Sequence, residues 1–354
     1  MKLIELPHKV CGMTCMINGL EDLYEHETGT RLPDWLLLYL SGMLGFVYVK
    51  NKTAPTPRMV FWGMQVAKYQ YKALADVVGF QWQMVEGGSF RHSFARAKES
   101  IDQGTPALLG AVDMYHLPYY EKFYHQIHVP FHHVLMVGYD DAQGAALVLD
   151  CDRAELQPIP YADLKLAWNV HIPGMSKRNT FYTFRFNQQV ADVETITREG
   201  WRKHASFMLH PPTSMFGIKG MRKLARELSN WPTELGHEQA GICLRHLAEF
   251  TGVPPMPPFR LIGWAGDEPE DHTAGRAGAA TLLRQSAQDY RMPAWESAAT
   301  LFEQSGQVLA TLTDEVVDYV LGESDALEPA AEMIVQIADL EERAFRLISQ
   351  AARR

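Results

Sequence analysis

Cysteine is scarce, and so is positive charge. The chain has 354 residues and four cysteines, Cys11, Cys15, Cys151 and Cys243. That is too few for a disulfide scaffold at this length, so we expect free thiols in a reducing cytoplasm. Lysine and arginine number 33 against 42 acidic residues, a net charge of −9. Without a basic stripe, this balance argues against a nucleic-acid-binding protein.

Long apolar runs are also missing. The most apolar stretch, residues 35–49, is interrupted by Ser41, Gly42 and Gly45. It is shorter than the roughly 20 residues that a membrane-spanning helix needs. The N-terminal MKLIELPHKVCG has no extended apolar segment of the kind found in secretory signals. The sequence therefore predicts a soluble, cytoplasmic protein with no membrane partner.

Recognisable cofactor motifs are absent. We find no phosphate-cradling glycine loop, no dinucleotide fingerprint and no His-Glu-x-x-His helix. ATP, nicotinamide and zinc-hydrolase functions lack support, and we expect no bound cofactor.

The hydropathy pattern predicts an α+β protein of two domains. Helical spacing comes first, over residues 12–27, 34–43, 61–76 and 93–104, with Ser93 as the N-cap of the last. Strand patterns follow at residues 105–115, 132–152 and 180–187. The pattern at 132–152 predicts a hairpin with its turn at Asp140–Gly144, which favours an antiparallel sheet. Helices followed by strands are typical of the α+β class.

The second part of the chain is helical almost throughout. Long amphipathic segments run from about residue 195 to the end, broken by the proline-rich VPPMPPFR at 253–260. We therefore divide the chain into a catalytic domain at 1–192 and an all-helical domain at 193–354. Its apolar helical stripes are compatible with a homodimer.

Three residues make a candidate catalytic triad. Cys11 precedes Gly12 at the predicted helix start, where the helix dipole and free N–H groups would lower a thiol pKa. A thiol nucleophile also needs an imidazole and an orienting group. His133 begins one strand of the predicted hairpin and Asp150 ends the other, so both lie at one end of the sheet. His132 is the rival base, since adjacent strand residues face opposite sides.

Metal binding is a less favoured interpretation of the cysteines and histidines. Cys11 and Cys15 could share a helix face, and a histidine-rich stretch follows later, but its spacing, His125-x-x-His128-x-x-x-His132, is not a recognised zinc pattern. We therefore expect no metal. Cys15 is expected to pack inward as a small apolar residue, and Cys151 and Cys243 to be structural.

At these residues the chain resembles a known family. HKVCGMTCMIN (8–18), GTPALLGAVDMYHLPY (104–119), HHVLMVGYDD (132–141) and VLDCD (148–152) look like the papain-like leader peptidases of bacteriocin exporters and, more closely, the butirosin biosynthesis protein H family. The likeness to that family extends into the helical half through FGIKGMRKLA (216–225) and IADLEERA (337–344).

The resemblance implies a papain-like cysteine acyltransferase in natural-product biosynthesis. An acyl group would pass from the phosphopantetheine thioester of an acyl carrier protein to the nucleophile and then to a small-molecule amine, forming an amide. Cys11 would be the nucleophile, His133 the base and Asp150 the orienting acid. The substrate pocket would involve Asp113, Tyr115 and Tyr119. Arg260 in the helical domain could hold a phosphate or carboxylate.

One position departs from the pattern. The leader peptidases carry a glutamine six residues before the cysteine as an oxyanion donor, and Glu5 stands there when Cys11 is the nucleophile. A carboxylate cannot donate, so the backbone N–H of Cys11 with the side chain of Asn18 or His8 would have to form the oxyanion hole.

Two alternatives stay open from the sequence. The same triad could serve a cysteine peptidase or amidase, with water in place of the amine. The fold could also have become a non-catalytic binding protein.

Overall fold

The computed structural model describes residues 1–12, 14–63, 66–250 and 275–351. The chain forms two compact units. The first comprises Met1–Leu38 and Val66–Val193, and the second comprises Tyr39–Gln65 and Glu194–Arg354. The last crossing lies close to the predicted boundary at 192/193, but the segment Tyr39–Gln65 belongs to the second unit and not to the first.

The described residues form nine strands, and seven of them make the main sheet of the first unit. Numbered along the chain, they are β1 (Lys2–Leu3), β2 (Phe46–Lys50), β3 (Arg58–Trp62), β4 (Phe80–Val85), β5 (Ala107–Val112), β6 (His132–Asp140), β7 (Ala145–Asp150), β8 (Arg153–Pro160) and β9 (Phe181–Phe186). The main sheet has the order β4-β9-β5-β6-β7-β8, with β1 paired to the end of β6. Every pairing in it is antiparallel. β2 and β3 form a separate antiparallel pair in the second unit.

Helices cover the sheet of the first unit. They are α1 (Asn18–Thr28), α2 (Leu36–Leu38), α3 (Ala67–Leu74), α4 (Phe90–Asp102) and α5 (Tyr161–Ala167). All residues of β5 and β7 are buried, as expected for apolar strands covered on both faces. α1 lies very close to the sheet, since a Cβ at Gly19 would stand 3.1 Å from Leu135 Cβ. A larger side chain there would push α1 away from β6.

The second unit is mainly helical. Its long elements are α6 (Val193–Leu209), α7 (Gly217–Leu228), α8 (Trp231–Leu235), α9 (His237–Phe250), α10 (Arg276–Asp289), α11 (Pro293–Leu321) and α12 (Glu328–Ala351). Trp201, Trp231 and Trp295 are fully buried in it. Its core also holds an ion pair, with Arg276 Nε 2.9 Å from Glu341 Oε1 and neither side chain exposed. No helix in the described ranges is both long and apolar enough to cross a membrane.

The predicted α+β class is confirmed, while several predicted boundaries are wrong. The helix predicted over 12–27 begins only at Asn18. The helix predicted over 61–76 begins at Ala67, because its first two residues end strand β3. The N-cap of α4 is Ser89, whose Oγ accepts from His92 N at 3.3 Å, and not Ser93. The hairpin at 132–152 and the strand at 180–187 are confirmed.

Candidate active site

Because α1 begins later than predicted, a different cysteine lies at the N-terminus of the helix. Cys15 stands three residues before Asn18, in a turn where Thr14 O accepts from Ile17 N and Asn18 N at 2.7 and 2.8 Å. Cys15 is therefore the cysteine that faces the positive end of the helix. Cys11 lies a further turn back, outside the helix. The placement of Cys11 in the first turn of a helix is thus corrected.

Cys11 is held against the end of the hairpin and is buried. Its N–H donates to Cys151 O at 2.8 Å, and its carbonyl accepts from the Thr14 hydroxyl at 2.5 Å. Burial and the neighbouring charge of Glu21 raise the pKa of the Cys11 thiol, with only partial opposition from the Thr14 hydrogen bond. This environment favours a protonated thiol.

The hairpin brings a histidine to Asp150, but it is His132 and not the predicted His133. Near the turn, Asp140 pairs with Ala145, and that register if continued would place His133 on the face of Asp150. A β-bulge between Met136 and Gly138 inserts one extra residue into β6. Beyond it Leu135 pairs with Leu149, so the phase of β6 is reversed and His132 shares the face of Asp150.

His132 and Asp150 form a buried, closely bonded pair. His132 Nε2 lies 2.9 Å from each carboxylate oxygen of Asp150. Tyr119 donates to Asp150 Oδ2 at 2.7 Å, and Tyr120 Oη lies 3.2 Å from His132 Nε2. With Nε2 directed at the carboxylate, Nδ1 is left for a second partner. This is the orientation that a catalytic imidazole needs.

Cys15 is the group whose ionisation is linked to that of His132. Burial by itself would raise the pKa of the Cys15 thiol, but the positive charge of His132 and hydrogen bonds from His132 and His133 lower it to about 6. Burial likewise opposes the charged form of His132, yet the carboxylate of Asp150 and the sulfur of Cys15 raise its pKa well above the ordinary value. The result is a thiolate–imidazolium pair at neutral pH.

Asp150 is kept ionised by the same contacts. Its side chain is almost fully buried, which would raise its pKa, but the charge of His132 and hydrogen bonds from His132 and Tyr119 lower it. Cys15, His132 and Asp150 therefore meet the requirements of a nucleophile, a base and an orienting acid. The prediction that Cys15 is an apolar packing residue is corrected.

His133 stands beside His132 at the start of β6, and it also lowers the pKa of the Cys15 thiol. Its Nδ1 lies 3.3 Å from Phe131 O, and its ring covers Gly110 on the neighbouring strand β5. It is 6% exposed. His133 is thus part of the site but is not the histidine bonded to Asp150.

The three oxyanion donors expected with Cys11 as nucleophile all have protein acceptors. Cys11 N–H donates to Cys151 O, and Asn18 Nδ2 donates to Lys9 O at 2.9 Å. His8 places Nδ1 2.6 Å from Asp22 Oδ2 and Nε2 2.9 Å from Arg153 O. These groups hold the segment before α1 in place, so their proposed role toward an oxyanion finds no support in the geometry.

The predicted substrate-pocket residues separate into different roles. Asp113 is structural, because it caps the short turn at Met114–His116 and accepts from Val129 N at 2.9 Å. Tyr115 stacks on His128, with ring centroids 4.0 Å apart. Tyr119 belongs to the triad through Asp150. Arg260 lies outside the described residues.

One group among the described residues has donor atoms close enough for a metal ion. One atom from each of Asp150, Cys151 and Asp152 lies within 4.8 Å of the others. Both carboxylates are engaged: Asp150 accepts from Tyr119 and contacts His132, and Asp152 accepts from Tyr120 at 2.5 Å. The group acts in the structure as an extension of the hydrogen-bond network around the triad.

The sequence indicated Asp150 and the two adjacent histidines, and in the structure His132 is the histidine bonded to Asp150. The position of Cys15 just before α1 is a sequence signal for a cysteine at the N-terminus of a helix. His132 and Tyr119 belong to the same site because both contact Asp150. No feature of the sequence indicates the bulge in β6.

Comparison with known families finds two matches, in different parts of the chain. Residues 14–151 match the family model described as butirosin biosynthesis protein H, N-terminal. Residues 162–252 match a domain of unknown function, DUF4872. No curated protein matches the chain. Residues 14–151 are thus similar to the N-terminal part of the butirosin biosynthesis protein H family, in agreement with the resemblance in the sequence. The first match includes Cys15, His132 and Asp150, whereas Cys11 lies before it.

Proposed function

We propose that this protein is an acyltransferase that uses Cys15 as its nucleophile to form amides in natural-product biosynthesis. The observation that carries the proposal is the Cys15–His132–Asp150 arrangement, with a thiol pKa lowered to about 6. A thiolate present at neutral pH can attack a thioester without a prior proton transfer. The name of the matched family supports a place in biosynthesis.

The donor in this proposal is an acyl group on the phosphopantetheine thiol of an acyl carrier protein. The Cys15 thiolate attacks the thioester carbonyl, and the new C–S bond forms as the bond to the donor sulfur breaks. The proton of the His132 imidazolium passes to the departing thiolate. His132 is then neutral and can act as base for the incoming amine, while Asp150 and Tyr119 hold its ring in place.

The oxyanion formed in each step needs donors close to Cys15. The Cys15 N–H has no hydrogen-bond partner among the described residues and lies in the turn that leads into α1. We assign it as one donor, since the positive end of the helix adds to its effect. Counting six residues back from Cys15 gives Lys9, whose ammonium is 2.7 Å from Asp34. Its donor hydrogens are therefore already engaged with the Asp34 carboxylate.

A peptidase or amidase would use the same triad with water as the acceptor. The two functions differ in product. The test is to incubate the protein with an acyl carrier thioester in the presence and absence of a small-molecule amine. We expect an amide with the amine, formed faster than free acid. Free acid alone, at the same rate with or without amine, would replace transfer by hydrolysis.

The matched variants are Cys15→Ala and Cys11→Ala. Loss of product in Cys15→Ala, with activity kept in Cys11→Ala, is the result we expect. The opposite pattern would restore the assignment made from the sequence. If both variants keep full activity, neither cysteine is the nucleophile. If the wild-type protein forms neither amide nor free acid, a binding role is favoured.

A further inference from the structure

A second carboxylate lies next to the triad, in the turn that follows β7. Cys151 and Asp152 form the two-residue connection between β7 and β8. The Asp152 side chain is 21% exposed and accepts from the hydroxyl of Tyr120 at 2.5 Å. The Tyr120 oxygen in turn lies 3.2 Å from His132 Nε2. One hydroxyl group therefore connects this carboxylate to the imidazole of the triad.

The hydrogen positions around His132 follow from the donors and acceptors that surround it. The ionised Asp150 only accepts, and His132 Nε2 lies 2.9 Å from each of its oxygens, so Nε2 carries a hydrogen. Tyr120 has a single hydroxyl hydrogen, which it donates to Asp152. The Tyr120 oxygen therefore presents lone pairs to Nε2 and acts as a further acceptor for the same N–H.

Arg153 supports this arrangement from the first position of β8. Its guanidinium carbon lies 4.6 Å from the centre of the Tyr120 ring, and its Nη1 is 3.5 Å from Asp152 Oδ2. Burial and the charge of Asp150 raise the pKa of Asp152, whereas the Tyr120 hydrogen bond and the charges of His132 and Arg153 oppose that rise. The contacts that favour the ionised carboxylate thus also hold the Tyr120 hydrogen on it.

The position of the His132 hydrogen matters in one step of the proposed reaction. In the resting site the imidazolium carries a hydrogen on both nitrogens, and acylation removes one of them. The neutral ring then exists in one of two tautomers, and only the form with hydrogen on Nε2 leaves Nδ1 as a base. A neighbouring hydroxyl that turned its hydrogen toward Nε2 would favour the other form, which has no lone pair on Nδ1.

We propose that Asp152 and Tyr120 are positioning residues that keep the hydrogen of neutral His132 on Nε2. Asp152 fixes the direction of the hydroxyl hydrogen, and the Tyr120 oxygen accepts from Nε2. Asp150 favours the same tautomer, and Asp152 adds to its effect by removing a competing donor. This inference rests on the proposed acyl transfer and deepens it.

The step that depends on this tautomer is the transfer of the acyl group from Cys15 to the amine. The neutral amine nitrogen bonds to the acyl carbon, and its proton moves to Nδ1 of His132. The C–S bond breaks, and its electrons return to Cys15 as the thiolate. The products are an amide and the thiolate–imidazolium pair of the resting site, so atoms and charge balance.

The test compares the two half-reactions in Asp152→Ala and wild-type protein. Each is acylated on Cys15 with an acyl carrier thioester and then mixed with methoxyamine, which is neutral at pH 7. In the variant the Tyr120 hydroxyl loses this acceptor and turns toward Nε2. We expect the amine step to slow by about tenfold, the size of one net hydrogen bond. Acylation should change little, because His132 begins that step with hydrogen on both nitrogens.

Two further variants separate this role from a structural one. Asp152→Asn removes the charge but keeps an acceptor oxygen for Tyr120, so its amine step should stay close to that of the wild type. The double variant Asp152→Ala with Tyr120→Phe lacks the competing hydroxyl, so its amine step should be faster than that of Asp152→Ala alone. If the two residues served only packing, the second substitution would add to the loss.

Three results would overturn the role of Asp152 and Tyr120. The first is an amine step in Asp152→Ala as fast as in the wild type, and the second is a double variant no faster than Asp152→Ala. The third is an equal loss in Asp152→Asn and Asp152→Ala, which would assign the effect to charge. If wild-type Cys15 does not become acylated, the proposed transfer itself fails, and that result is seen before the amine is added.

Discussion

At the scale of single residues, the pKa of the Cys15 thiol depends mainly on His132. Burial disfavours the thiolate, and the charge of His132 is what outweighs it. The pKa of an acid in such a site falls only while its cationic partner is present.

The pH dependence of alkylation tests this coupling. Because the pKa of Cys15 is lowered to about 6, its reaction with iodoacetamide should rise through pH 6 and level off by pH 7. In His132→Gln the cation is lost and burial dominates, so the inflection should move upward by about two pH units or more. The rate is measured by mass spectrometry of the peptide that contains Cys15. An unchanged inflection in the variant would contradict the ion pair.

The same experiment contains a control. Cys11 is buried, and its pKa is raised by burial and by Glu21. Its alkylation should stay slow across this pH range in both proteins. Fast modification of Cys11 at pH 7 would contradict the description of the two thiols.

At the scale of elements, the sequence allowed the hairpin to be predicted but not its register. The apolar runs and the turn at Asp140–Gly144 were sufficient to bring the start of β6 and the end of β7 together. Which histidine then faces Asp150 depends on the bulge between Met136 and Gly138. One extra residue in a strand moves the side chains beyond it to the opposite face of the sheet. Apolar side chains on both sides of a buried strand give no alternation from which such a shift could be read.

Helix starts show the same limit. Apolar periodicity continues through residues 13–17, but the first hydrogen bonds of α1 come later, and Asn18 is its first residue. Because the predicted helix began too early, Cys11 and not Cys15 was placed at its N-terminus. For α4 the periodicity was correct and the cap was misplaced, since both Ser89 and Ser93 precede apolar residues.

The α4 cap can be tested by two serine variants. Ser89 Oγ accepts from His92 N, so Ser89→Ala should lower the free energy of unfolding by about 1 kcal/mol. Ser93 is buried, and its Oγ has no hydrogen-bond partner among the described residues. Ser93→Ala should therefore be neutral or stabilising. Urea denaturation measures both, and a larger loss in Ser93→Ala would contradict the assignment of the cap.

At the scale of the whole molecule, each unit has a core of a different kind. The first is an antiparallel sheet that carries His132 and Asp150, with a bulge in β6 between Met136 and Gly138. The second is a helical assembly whose buried charges are paired internally. The sequence indicated this division, but the transfer of Tyr39–Gln65 to the second unit depends on long-range packing that local patterns do not encode.

The buried ion pair of the second unit is expected to matter for stability mainly when only one partner is removed. Glu341 contacts Arg276 at 2.9 Å and accepts from Ser305 Oγ at 2.7 Å. Glu341→Leu leaves the buried guanidinium without this carboxylate and should cost about 3–5 kcal/mol. The double variant Arg276→Met with Glu341→Leu should cost much less. Chemical denaturation of the two variants gives the comparison, and equal losses would show that the pair itself is strongly stabilising.

The central claim is that Cys15 is the acyl-accepting nucleophile. It is tested most directly by peptide mass mapping after incubation of the protein with an acyl carrier thioester and no amine. We expect the acyl mass on the peptide at Cys15, its absence in Cys15→Ala and its retention in Cys11→Ala. An acyl group on Cys11, or acylation that persists in Cys15→Ala, would contradict the account.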